Sequence, residues 1–169
     1  MQEAELQAHA AWDRGELRTA LRLFTSAANT GRKNCALNVG YFYDEGLGVP
    51  RSKSTALRWY ARSHHEGASS GATNAAIVHR ERGQYRAMFK WFRRACRQED
   101  DGDAELDLAK CILAGKTVVR AKQSALKHLR RAIRSDSITP AGAEEARALY
   151  RRLTGCRPGR LRPFSAAAG

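Results

Sequence analysis

A nine-residue pattern of small, bulky and basic positions recurs four times along the chain. It first reads Ala20-Leu21-Arg22-Leu23-Phe24-Thr25-Ser26-Ala27-Ala28 and returns at 56–64, 88–96 and 125–133. The start-to-start spacings are 36, 32 and 37 residues (20 to 56, 56 to 88, 88 to 125). Its first position is small or flexible: Ala20, Ala56, Met88, Ala125. Four residues later it is bulky: Phe24, Tyr60, Phe92, Leu129. Three further on it is small again: Ala27, Ser63, Ala95, Ala132. Steps of four and three return to one face of an α-helix, so these columns predict a buried stripe. Leu21, Leu57, Phe89 and Leu126 widen it. Small residues beside a ring let neighbouring helices approach while the ring fills the gap.

A second helical stretch precedes each copy. In the second unit it spans 34–45 and ends at Gly46-Leu47-Gly48-Val49-Pro50. Gly46 can take the left-handed conformation that ends a helix, and Pro50 prevents continuation. In the fourth unit it spans 103–114 and ends at Gly115. Gly15 and Gly83 mark tighter turns in units one and three. The pattern therefore predicts an all-α chain of about four helix-turn-helix units, over 2–31, 32–67, 68–102 and 103–135. A capping helix is expected over 140–153, with Thr139 as N-cap and Pro140 at the first helical position. Glu144 and Glu145 lie early in it and Arg147, Arg151 and Arg152 late, the order that suits the helix dipole. Residues 1–155 read as one repeat domain and 156–169 as a basic, flexible tail.

Composition narrows the function more than the fold. The formal net charge is +13 over 169 residues, which favours acidic partners: a protein, a nucleic acid or an anionic membrane surface. No apolar run reaches the length of a membrane span, and the N-terminal residues show no secretory pattern, so a cytoplasmic location is expected. Cys35, Cys96, Cys111 and Cys156 form no Cys-x-x-Cys pair and read as buried or free thiols. Cys96 and Cys111 lie on successive helices, where a disulfide could be considered.

The second unit resembles a known repeat. Residues Ala36-Leu37-Asn38-Val39-Gly40-Tyr41-Phe42-Tyr43-Asp44-Glu45-Gly46-Leu47-Gly48-Val49-Pro50, then Ala56-Leu57-Arg58-Trp59-Tyr60 and Gly67, are similar to a Sel-1-like repeat. That pattern is a Leu-Gly-x-x-Tyr helix, a Gly-x-Gly-Val turn, an Ala-x-x-Trp-Tyr helix and a closing Gly. Val39 stands where Leu is usual. Units one and three lean towards plain tetratricopeptide form, and unit four has His128-Leu129 in place of the aromatic pair. The resemblance implies a right-handed α/α superhelical solenoid, with first helices lining the concave face and second helices the convex one. It also implies a protein-binding adaptor without catalytic residues, cofactor or metal.

Carrying over the repeat's concave positions implies a partner-binding set of Glu5, His9, Trp12, Asn34, Leu37, Tyr41, Asp44, Thr73, Ile77, Arg80 and Lys110, with Ser70, Asp103 and Leu106 beside them. Tyr41 and Trp12 are the expected anchors, since aromatic residues carry much interface energy. The plainer alternative is that Leu37, Ile77 and Leu106 pack between units and Trp12 completes the core. Aligning the units also makes two basic columns on the second helices: Arg22, Arg58, Lys90, Lys127, and Arg62, Arg94, Arg131. Arg86, Lys90, Arg93 and Arg97 form one stripe, and Arg130, Arg134, Arg157, Arg160 and Arg162 extend the charge. These read either as a basic ridge for phosphates or an acidic partner, or as a solvated face.

No second ligand stands at a recognisable metal-binding spacing from His64, His65 or His79. Asp100-Asp101-Gly102-Asp103 lacks the downstream acid of a calcium loop, Cys111 standing there, and reads as a turn with an Asp N-cap. No nucleophile motif or acid–base pair is present. Three functions stand open: an adaptor holding a partner protein segment, a nucleic-acid-binding protein using the basic ridge, and an immunity- or chaperone-type protein masking an effector.

Overall fold

The computed structural model describes residues 3–32, 34–98, 101–115 and 122–155. The tail with Cys156, Arg157, Arg160 and Arg162, and also Asp100, lie outside the described residues. Among these the chain forms α1 (Glu3–Asp13), α2 (Leu17–Asn29), α3 (Cys35–Glu45), α4 (Lys53–His65), α5 (Ser69–Glu81), α6 (Tyr85–Gln98), α7 (Gly102–Leu113), α8 (Lys122–Arg134) and α9 (Pro140–Thr154), with no strand. Two compact units divide it, Met1–Val78 and His79–Gly169, the boundary falling inside α5.

Helix ends follow the local chemistry. Gly15, Gly46, Gly83 and Gly115 all take positive φ, at the turns where the sequence places them. Ser52 Oγ accepts from Thr55 N at 3.3 Å to start α4, Asp101 Oδ1 from Ala104 N at 2.8 Å to start α7, and Thr139 Oγ1 from Gly142 N at 3.1 Å to start α9. Each cap satisfies an amide that the helix itself cannot. With Asp101 capping, α7 begins at Gly102. This leaves Asp103 free to fix the entry to α9, its carboxylate accepting from Thr139 N at 3.1 Å and from Thr139 Oγ1 at 3.0 Å.

In the first unit α1 packs on α2, α2 on α3, and α3 on α4. Ala20, Phe24, Ala27 and Ala28 meet Ala8, Ala11, Cys35, Ala36, Val39 and Phe42 in one core. In the second unit α7 packs between α6 and α8, and α9 covers α7 and α8. Its core joins Leu106, Ala109, Leu129, Ala132 and Ala146, with Leu149, Tyr150 and Leu153 packed against them. All twelve residues of the three repeat columns are buried.

The small positions work through contact. A Cβ on Gly40 would stand 2.6 Å from Cδ1 and Cε1 of Tyr60, and one on Gly71 would stand 2.6 Å from the Tyr60 carbonyl oxygen. Real Cβ atoms do not approach so closely, so glycine lets α3 and α5 lie against α4.

Candidate interaction surfaces

The first helices of the first unit carry an aromatic group. Trp12 packs its ring edge-on to Phe42 at 4.9 Å and to Phe24 at 6.0 Å, and lies tilted against Tyr41 at 5.8 Å. His9 stacks on Trp12 at 6.3 Å and meets Phe24 edge-on at 4.9 Å. Trp12 is thus part of the core, its remaining surface facing out beside Tyr41, which is 40% exposed. Glu5, Leu37, Thr73 and Ile77 are half-buried, and His9 and Asn34 exposed. Leu6, absent from the sequence-derived set, is 66% exposed, and with Tyr41 makes up the large exposed hydrophobic side chains among the described residues. Its signal in the sequence is weak: one leucine outside the Ala8–Ala11 stripe of α1.

Asp44 does not belong to an open face. It is buried and ion-paired with Lys53, and accepts from the Tyr60 hydroxyl at 3.1 Å. Arg51 Nε donates to the Asp44 carbonyl at 2.8 Å. The reason is positional: a carboxylate in the last turn of α3 faces unpaired carbonyls and needs a cation, which the start of α4 supplies across the Gly46–Pro50 turn. Burial, then the Asp44 charge, push the Tyr60 hydroxyl far above the usual tyrosine range.

In the second unit the first-helix cations are also paired. Arg80 meets Asp107 at 3.5 Å, and Lys110 meets Glu145 at 2.9 Å and Asp107 at 3.9 Å. Burial raises the Asp107 carboxyl above the usual range despite both cations. Arg80 and Lys110 therefore offer no unmatched positive charge.

The two basic columns of the second helices differ. Arg22, Arg58, Lys90 and Lys127 point into solvent. The other column is tied down. Arg62 donates to Glu66 at 2.8 Å, to Asn29 Oδ1 at 2.9 Å and to the Ala28 carbonyl, with its guanidinium 5.2 Å from the Trp59 ring centroid. It closes the C-terminal end of α2 instead of serving a ridge. Arg94 lies over Trp91 at 4.4 Å. Arg131 donates to Glu105 at 3.3 Å, and Glu105 also accepts from His128 Nδ1 at 2.5 Å. The Glu105–His128 pair, where unit two has Ala36 and Trp59, is not recognisable from either segment alone.

Cys35, Cys96 and Cys111 are in no disulfide, and Cys111 Sγ lies 3.7 Å from Met88 Sδ. Burial pushes Cys35 up to about 11 and Cys96 higher still. Among the described residues no three His, Cys, Asp or Glu side chains group as metal ligands, and no helix is long and apolar enough to cross a membrane.

The Sel1 repeat family model matches residues 34–63, 89–100 and 102–137. Two solved structures share the fold. A Sel1 repeat protein from Oxalobacter formigenes superposes with a TM-score of 0.70 at 20% identity, covering 90% of this chain and 63% of that one. A protective antigen of uropathogenic Escherichia coli strains, displaying an SLR fold, superposes with a TM-score of 0.66 at 22% identity, covering 79% of this chain and 29% of that one. The chain thus spans under two thirds of either relative's length. No curated protein matches it. Repeat columns, glycine turns and helix pairs agree with these matches: the chain carries Sel1 repeats over the matched residues and has the α-solenoid fold that both solved structures share.

Proposed function

We propose that this protein is a non-catalytic adaptor that holds a segment of a partner protein on the first-helix face of α1 and α3. Sel1 repeats generally mediate protein–protein interaction, and their fold is typically a scaffold. The observation that carries the reading is the placing of Tyr41 and Leu6, the large exposed hydrophobic side chains among the described residues, both on first helices. Tyr41 is braced by Trp12 at 5.8 Å. A rigid ring with apolar surface around it is what an interface anchor requires, because little side-chain entropy is lost on binding. Glu5, His9 and Asn34 would supply the polar rim. Masking of a specific effector would be a special case of the same surface.

The test is capture of partners by the full chain from lysate, with nuclease treatment in parallel. The expected result is a protein retained by the wild type, insensitive to nuclease, and lost with Leu6→Ser plus Tyr41→Ala while helical circular dichroism is unchanged. Retention of the same protein by that variant would remove α1 and α3 as the binding face.

A further inference from the structure

The helices of the second unit sort by charge. Arg86, Lys90, Arg93 and Arg97 recur on α6 at steps of four, three and four, which places them on one face over about 16 Å of helix. All four are exposed. Neither α6 nor α8 contains a carboxylate, and each contains five cations. α7, packed between them, reverses the balance with Asp103, Glu105 and Asp107 against Lys110.

None of the four stripe cations has a carboxylate partner among the described residues. On the first helices, by contrast, Arg80 and Lys110 are both paired. Like charges at i,i+4 repel, so among the described residues the stripe is a positive field that no ion pair relieves. On α8, Lys127 and Arg134 add exposed charge.

The surroundings select the partner. A protein interface needs an apolar, charge-poor centre, and a membrane-bound helix needs an apolar face to insert. Among the described residues the exposed large hydrophobics are Leu6 and Tyr41, and neither is on α6 or α8. The half-buried rings Phe89 and Trp91 lie under the guanidinium groups of Arg93 and Arg94, at 6.0 and 4.4 Å. A polar, strongly positive, arginine-rich surface without an apolar anchor matches phosphate recognition.

We propose that α6 and α8 form a sequence-independent binding surface for the phosphodiester backbone of a nucleic acid. This surface is independent of the partner face on α1 and α3.

Fluorescence anisotropy with labelled single-stranded RNA and duplex DNA of mixed sequence, titrated with the full chain at several salt concentrations, tests it. Binding that weakens linearly in log–log form with salt is expected for at least one of them. Replacing Arg86, Lys90, Arg93 and Arg97 together by Gln should flatten the slope by about 3 for a single strand, four lost contacts at about 0.7 each. Replacing Arg18, Arg22, Arg32 and Arg58 by Gln removes the same formal charge elsewhere and should leave most of the slope. The proposal is overturned by no binding near about 0.1 M salt, by equal loss in both variants, or by a polyglutamate peptide or anionic vesicles binding more tightly than either nucleic acid.

Discussion

Gly40 lies flat against the Tyr60 ring, so close that a Cβ would sit 2.6 Å from two ring carbons. Tyr60 is 1% exposed, and its hydroxyl is held by Asp44, so the ring has nowhere to retreat. Gly40→Ala gains about 1 kcal/mol of helix propensity but overpacks the site by about 1–3 kcal/mol. The expected net result is a lower melting temperature, by a few degrees at about 2–4 °C per kcal/mol. A higher melting temperature would show that α3 and α4 can separate at no cost.

The buried Asp44 carboxylate has two kinds of partner, and their removal should not cost the same. Tyr60→Phe deletes one hydrogen bond and should cost about 1–3 kcal/mol. Lys53→Met leaves a buried charge without its cation and should cost more, up to about 3–5 kcal/mol. Urea unfolding midpoints of the two variants give the order directly. Equal midpoints would mean that water reaches Asp44 once the cation is gone.

Glu105 is nearly inaccessible and carries His128 and Arg131 on its two oxygens. Glu105→Ala should destabilise by about 2–4 kcal/mol, because it empties a packed site and strands the largely enclosed His128 donor, while the exposed Arg131 turns to water. Joint replacement of Glu105 and His128 by Leu should recover most of that loss, as apolar replacement of buried ionic pairs does elsewhere. Chemical denaturation of the wild type and the two variants at neutral pH measures the recovery.

Cys35 provides a pH prediction. Its thiol is fully buried and its pKa is pushed up to about 11 by desolvation, then by Glu5. The folded chain keeps a proton that the unfolded chain releases near about 9. Stability from this group is therefore complete below about 9 and is lost as pH rises towards about 11, a loss of roughly 2–3 kcal/mol at most. Cys35→Ala should flatten that part of the stability profile. In native protein at about pH 8, iodoacetamide should leave Cys35 unmodified, and in urea it should react.

The columns 20-24-27, 56-60-63, 88-92-95 and 125-129-132 predict the buried stripes, because helical periodicity is local: steps of three and four define a face before any partner is known. Helix ends are equally legible at Gly46, Thr139 and Asp101, where capping involves residues within one turn. The Sel1-like repeat in unit two is readable because its glycines and aromatics are short-range necessities of the helix–turn–helix. Tertiary structure alone decided the fate of polar side chains. Asp44 and Arg62 look open on a helical wheel, and each is closed by a residue 9 to 34 positions away. Glu105 finds His128 23 residues on, and Leu6 stays uncovered because no neighbouring helix reaches it among the described residues. Helical phase assigns a residue to a face. What stands opposite that face depends on how two helices rotate and slide against each other, and packing along the whole interface sets that.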